Sequence, residues 1–422
     1  MGEREIDVVV FGATSVTGRR VAAYLAERTA GTDLTWAAAA RDLAKLDSVL
    51  AEEGVQAPTV IAADVGDPAA LREMASRTRV LVNLVGPYTR FGDPVIEACI
   101  AVGAHYVDLT GEIPFVRRMI DAHDETAREA GVKVVQVCGF EALPPDLGVA
   151  LAREAAAERF AESLAEVDLE VAVTAMPPGM PRASDLISGG TIQSMAEVTG
   201  DPDAARLADP SLLIDDPLAA EAVRERSPIG LMPRRGLRGA VLAPMSPAAF
   251  INPAVIHRSA ALAALGAGEP LAPFRYREGM AIAGPAPTLP LRYAAAGAIA
   301  GLQVSLAAAA KSRPSIRGRV SSAMRKALPS SGFGPAADRL ENWRWRMDIG
   351  ARTASGNMVA VAIDADGHPG YLATARMLGE AGLMLADGEA TPQGAGCLTP
   401  AIALGTAEIQ RFERARLRFS VS

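Results

Sequence analysis

The chain has 422 residues, 50% of them hydrophobic and 22% charged, with a formal net charge of −7. This composition suits an ordinary folded protein of two or three domains and excludes a disordered or collagen-like chain. Cys99, Cys138 and Cys397 are the only cysteines, too few for a disulfide framework or a four-cysteine zinc site, and the acidic balance argues against nucleic-acid binding. The first residues are charged and lack a secretory pattern, so a cytoplasmic location is expected. In chain order, strand patterns at 6–11, 34–40, 59–63, 80–84, 105–109 and 132–137 alternate with helical patterns at 16–28, 42–53, 67–77, 93–102 and 114–130. Strands alternating with helices of this length mean βαβ units and a parallel sheet. The expectation is an α/β protein with a doubly wound sheet of Rossmann type over residues 1–150.

The cadence changes beyond residue 145. A helix is expected at 147–159, a strand at 166–175, and a Pro/Gly/Met-rich link at 176–181. Residues 200–248 lack periodicity and are expected to be an irregular insertion. A strand at 274–282, an antiparallel hairpin made of 343–349 and 358–363, and helices at 371–385 and 401–416 follow. These elements predict a second, α+β domain over 151–390 and a C-terminal segment over 391–422. The uncharged run 293–310 is close to the shortest length that spans a membrane, but it is rich in alanine and glycine. It reads as a helix docked on the protein or resting against a membrane.

The strongest local signal is Gly12-Ala-Thr14-Ser15-Val16-Thr17-Gly18, between a buried strand and a helix. Gly12 permits a tight turn and Gly18 lets the helix approach the sheet. Amides at the helix start, around Ser15 and Val16, would hold a pyrophosphate, with hydroxyl donors at Thr14 and Thr17. The alternative is a glycine-rich turn without a ligand. The second strand ends in alanine, followed by Arg41 and then Lys45. A cation pair there suits the 2′-phosphate of NADP(H) better than the 2′-hydroxyl of NADH. Asp64 follows the third strand and would face the adenine or close a turn. Asn83 ends the fourth strand, and Gly86-Pro87 would flank the nicotinamide ribose in the crevice at the strand ends.

Hydride transfer needs an acid for the second reacting centre. Tyr88 is the first candidate; the alternative is a packed tyrosine bonded to backbone. Asp108 and Glu112 lie on the same edge and would orient the nucleotide or, with a pKa raised by burial, act as acids. Glu112 alternatively caps the next helix. Glu141 and Asp146 flank Pro144-Pro145, and Asp146 reads as a helix cap. Cys138 and His105 read as packed. No metal-binding spacing is present, so no metal is expected.

Four stretches carry a resemblance: Gly12 to Gly18, Gly86-Pro-Tyr-Thr-Arg-Phe-Gly92, Gly103-Ala-His-Tyr-Val-Asp108-Leu-Thr-Gly111-Glu112, and Cys138-Gly-Phe140-Glu141-Ala-Leu-Pro144-Pro-Asp146-Leu-Gly148. In that order they resemble the saccharopine dehydrogenase-like oxidoreductases, and most of all the actinobacterial trans-acting enoyl reductases. Ser188-Gly-Gly190-Thr191, Gly332-Phe-Gly334-Pro335 and Thr399-Pro-Ala-Ile-Ala-Leu-Gly405 are similar too.

The resemblance implies a Rossmann domain carrying NADP(H), a second domain whose sheet covers the cofactor, and a C-terminal segment that returns to the first domain. It also implies reduction of an α,β-unsaturated, carrier-bound acyl thioester in lipid or glycolipid assembly, with a polyketide synthase as partner. Two rival readings stand beside it. One is an imine reductase acting on a small amino acid, which needs arginines for two carboxylates. The other is a nucleotide-binding scaffold that meets a membrane or protein through 293–310. A homodimer is a separate expectation, independent of which reading holds.

Overall fold

The computed structural model describes residues 4–179, 189–245, 248–282, 288–327 and 335–422. Ser188, residues 180–181 and residues 332–334 lie outside the described residues, as does the side chain of Thr191.

The first half contains β1 (Ile6–Phe11), α1 (Val16–Thr29), β2 (Trp36–Ala40), α2 (Leu43–Glu52), β3 (Val60–Ala62), α3 (Pro68–Ser76), β4 (Thr78–Asn83), α4 (Tyr88–Phe91), α5 (Asp93–Val102), β5 (His105–Asp108), α6 (Ile113–Glu129), β6 (Lys133–Val135) and α7 (Leu143–Phe160). Next come β7 (Leu164–Ala175), α8 (Gly189–Gly200), α9 (Pro217–Arg226), β8 (Arg234–Arg235), β9 (Val241–Ala243), α10 (Asn252–Ala267), β10 (Arg275–Ala281), α11 (Leu289–Ala310) and α12 (Pro314–Ala327). The chain ends with β11 (Arg344–Thr353), β12 (Met358–Asp366), α13 (Thr374–Asp387), β13 (Gly396–Leu398), α14 (Pro400–Leu404) and β14 (Leu417–Val421).

Local chemistry sets the boundaries. Every residue of β1 is buried, as expected for a central strand covered on both faces. The carboxylates of Asp42 and Asp67 cap α2 and α3, and Gly103 closes α5 in the left-handed region. Buried positions alternate with more accessible ones along most of β11, as they do in a sheet covered on one face.

Two seven-stranded sheets result. The first has the order β13-β6-β5-β4-β1-β2-β3, and its paired strands are parallel. The second runs β14-β12-β11-β7-β10-β9-β8 and is antiparallel except for β10 beside β7. The expected α/β class with a doubly wound first sheet and a mixed second one is thus observed. One hydrophobic core runs through both. Phe140, after β6, meets Trp345 of β11 edge-on at 4.9 Å. Helix α7 lies so close to the second sheet that a Cβ on Gly148 would sit 2.4 Å from Ile349.

Several expectations need correction. The 200–248 region is not wholly irregular: it holds α9 and two short strands, β9 and the edge strand β8. Helix α10, buried along its first turns, carries little polar periodicity and leaves no amphipathic signature. The helix expected at 401–416 stops at Leu404, because Gly405 turns the chain at φ +67°, and a 3₁₀ turn (Ile409–Glu413) follows. The C-terminal segment does return to the first sheet as β13, but its end crosses to the second sheet as β14. Helix α13, assigned by position to the second domain, packs on the first sheet: Gly379 faces Tyr24 and Gly382 faces Val82.

That packing gives a test. A Cβ on Gly379 would lie 2.5 Å from Cδ1 of Tyr24, whose hydroxyl is held by Glu380 at 2.7 Å. Gly379→Ala is therefore expected to lower stability by about 1–3 kcal/mol, read as a lower denaturation midpoint at unchanged m-value.

Candidate active site

A cavity of about 590 Å³ lies between the two domains. At one end it is walled by the turn after β1 and the start of α1: Gly12, Thr14, Ser15, Val16 and Thr17. Gly12 has φ +87°, and a Cβ there would stand 2.9 Å from the backbone of Leu84. A Cβ on Gly18 would stand 2.3 Å from the carbonyl of Gly12. Gly18 does not line the cavity; it lets α1 start flush against the turn. Ser15, in extended backbone, accepts the amide of Gly18 at 2.9 Å and caps α1. The amides at a helix start have no intrahelical acceptor and, with the helix dipole, favour an anion.

Arg19, Arg41 and Lys45 surround this end of the cavity. Arg41 is largely exposed and pairs with Asp64 at 3.5 Å. Of the two expectations for Asp64, facing the adenine or closing a turn, the structure shows the second, and Asp64 does not line the cavity. Its carboxylate closes a turn on the amide of Gly66 at 2.8 Å and balances Arg41. Asp42 is spent on the amide of Lys45. Arg19, which pairs with Glu52 and Glu53 at 3.4 and 3.7 Å, was not picked out from sequence. It sits one turn beyond Ser15, and helical periodicity could have found it.

Gly86, Pro87 and the ring of Tyr88 form the next part of the wall. The nearest atoms to a Cβ on Gly86 would be those of Tyr88, at 3.5 Å or more, an ordinary contact distance. Nothing in the packing demands glycine there; what glycine provides is open space on the cavity side. The phosphate turn, the nearby cations and this opening together fit a dinucleotide whose adenosine end carries an extra phosphate.

The proposed acids fare differently. The Tyr88 hydroxyl donates to the carbonyl of Asn83 at 3.0 Å. Burial, then the Asp108 charge, pushes the phenol well above its ordinary pKa. Its proton is committed to the main chain, which argues against an acid role. Asn83 is fully buried, donating to Tyr106 and accepting from the amide of Val85, each at 3.0 Å, and does not line the cavity. Asp108 is also fully buried and off the cavity. It accepts the amides of Thr110 and Val137 at 3.0 and 3.2 Å and the Tyr106 hydroxyl at 2.9 Å, fastening β5 to β6. Glu112 caps α4 instead of its own helix. It accepts the amides of Tyr88 and Thr89 at 3.0 and 2.7 Å, and the hydroxyl of Ser194 on α8 at 2.8 Å. Asp108 and Glu112 are therefore positioning groups, not cavity acids.

Glu141 does line the cavity, and burial raises its pKa above the ordinary glutamate range. Thr374, beside it in the wall, accepts the amide of Phe140 at 3.1 Å and donates to Pro369 at 2.8 Å. Asp146 caps a distant helix, accepting the amide of Ala401 at 2.8 Å. The Cys138 thiol is buried with its pKa pushed well up, and burial lowers His105 to about 4; both are packed.

The second domain lines the cavity with Met195, Val198, Leu207, Phe250, Ile251 and Leu306, and among them the polar Gln193, Ser194, Thr199 and Gln303. No sequence motif marked the apolar members, because their spacing is that of any buried apolar face.

The environment of Asp108 gives a second test. Burial lifts its pKa to about 7 against hydrogen bonds that lower it, while an unfolded aspartate titrates near ~3.9. The folded state thus holds more protons between these values, so this group's contribution to stability falls as pH rises from about 4 to about 7. Asp108→Asn is expected to flatten that part of the stability profile, measured by denaturation across pH.

Comparisons with known proteins agree with this geometry. Residues 8–135 match the family model of the saccharopine dehydrogenase NADP-binding domain. A putative trans-acting enoyl reductase of Mycobacterium tuberculosis is 37% identical over 98% of this chain and 96% of its own length. A trans-acting enoyl reductase of Mycobacterium ulcerans is 34% identical over 97% and 96%. Apo saccharopine dehydrogenase from Saccharomyces cerevisiae shares the fold, with a TM-score of 0.50 at 14% identity over 99% of this chain and all of its own. The chain belongs to the trans-acting enoyl reductase family, within the saccharopine dehydrogenase-like, NADP(H)-dependent oxidoreductases.

Proposed function

We propose that this oxidoreductase reduces the double bond of an α,β-unsaturated acyl thioester delivered by a carrier protein, as part of lipid or glycolipid assembly with a polyketide synthase. The observation that carries this reading is the distribution of polarity along the cavity. Among the described lining residues, every cation (Arg19, Arg41, Lys45) is at the phosphate end, and the lining from the second domain is uncharged and mainly apolar, with Gln193, Ser194, Thr199 and Gln303 as its polar members. An acyl chain suits that lining. A small amino-acid imine with two carboxylates would need cations there, so this lining weighs against the rival reductase. The names of the relatives support the same choice.

Within this reading Gly12 to Thr17 bind the pyrophosphate, and Arg41 with Lys45 holds the 2′-phosphate. Gly86 and Pro87 flank the nicotinamide ribose. Bound NADPH supplies the hydride. Glu141 supplies the proton that the acyl α-carbon takes up, and is reprotonated from water. Its raised pKa keeps it protonated to higher pH than an ordinary glutamate.

The decisive assay follows NADPH oxidation with a set of trans-2-enoyl thioesters; oxidation independent of every enoyl thioester would overturn the reading. Replacing Arg41 and Lys45 together by alanine is expected to weaken NADPH binding about tenfold, roughly 1.4 kcal/mol, and to leave NADH binding unchanged in fluorescence titration. Glu141→Gln is expected to lower kcat by about 100-fold. It should also abolish the fall of kcat with rising pH that deprotonation of Glu141 produces.

A further inference from the structure

The outer face of α11 has no counterpart in the proposed reaction. The helix has 22 residues, a length of about 33 Å. Its inner face is buried through Ala296, Ala300, Gln303 and Ala310. Most of its circumference is exposed: Leu291 and Leu302 lie on the side opposite the buried stripe, Leu289, Tyr293 and Val304 lie closer to it, and Ile316 of α12 is close by in sequence. Arg292 is the only charged residue of α11. Singly exposed apolar residues are common, but a helix of this length that is exposed around most of its circumference and carries one charge is a feature of interaction surfaces.

The charge beside this strip is segregated. From Lys311 to Lys326 the chain carries Lys311, Arg313, Arg317, Arg319, Arg325 and Lys326 and no carboxylate, within a protein of net charge −7. These residues form the end of α11 and the adjoining α12, which pack against each other. Arg325 pairs with Glu197 at 3.1 Å. Lys311, Arg313, Arg319 and Lys326 are exposed and make no ion pair among the described residues.

We propose that α11 and α12 dock this protein onto an anionic lipid surface, with α11 lying in the plane of the headgroups. A helix of this kind sinks its apolar face into the boundary between headgroups and acyl chains, and adjacent cations hold the anionic headgroups. An acidic protein would match the cations but leave the apolar outer face of α11 unused; an anionic bilayer engages both. Gln303 and Leu306, on the same helix, line the cavity, so the docked face and the second-domain wall of the cavity share one helix. The docking does not depend on the enoyl thioester reading, because it concerns a surface that a different reductase could equally use.

The test is co-sedimentation of the full chain with sucrose-loaded vesicles, either pure phosphatidylcholine or an equal mixture with phosphatidylglycerol. The expected result is partitioning at least tenfold stronger onto the anionic vesicles, reduced by high salt. Leu302→Glu with Val304→Glu, and separately Arg313→Glu with Arg319→Glu, should each weaken it about tenfold or more. None of these residues lines the cavity, so NADPH binding should be unchanged and also reports correct folding. Equal partitioning onto both vesicle types, no partitioning, or variants that partition like the parent would overturn the proposal. So would a dimer in sedimentation velocity that Leu302→Glu dissociates, because the face would then be an interface between copies. Loss of enoyl-dependent turnover with vesicle binding intact would count against the reaction and leave the docking standing.

Discussion

The cavity depends on one close approach. The carbonyl of Gly12 and the start of α1 are so near that Gly18 has no room for a side chain, with 2.3 Å between that oxygen and an added Cβ. This proximity aims the first amides of α1 at the crevice beyond the strand ends. Ser15 completes the arrangement by capping the helix with its own side chain, so a serine in the middle of the turn is compatible with an open anion site. From there the other walls follow the parallel sheet: β4 delivers Gly86 and Pro87, and the segment after β6 delivers Glu141.

A second constraint joins the domains. Helix α13 covers the first sheet, β13 extends it, and β14 then closes an edge of the second. Buried polar groups hold these crossings. Arg258 of α10 is almost fully buried and donates to the carbonyl of Cys397 at 3.0 Å, and Lys133 of β6 donates to Thr391 and Pro392 at 2.7 Å. With a core shared by both sheets, the cavity has walls whose relative position is set by packing. Glu112, set back from the cavity, ties its two sides through Tyr88 and Thr89 on one and Ser194 on the other.

Asp108 and Glu112 illustrate why carboxylates at strand ends mislead. A strand that stops and turns leaves backbone amides without partners, and a buried amide needs an acceptor. Both side chains meet that need, so their chemistry is spent inside the fold. Glu141 lies on the same edge, but its carboxyl reaches the cavity wall. Sequence places all three after parallel strands and cannot separate them, because the difference is where each side chain points.

The sequence by itself determined the alternation of strands and helices, the doubly wound sheet, the glycine turn at Gly12 to Gly18 before a helix, and the positions of Arg41 and Lys45 at the end of the second strand. Each of these rests on local forces: apolar periodicity, glycine geometry and the caps of helices. The tertiary structure alone decided that the turn and the cations share a cavity with Met195, Phe250 and Leu306. It also decided that Asp64, Asn83, Asp108 and Glu112 stand off that cavity, and that the end of the chain visits both sheets. Those outcomes depend on contacts between residues far apart in the chain, and burial leaves the same local pattern whether an apolar residue faces a neighbour or a substrate.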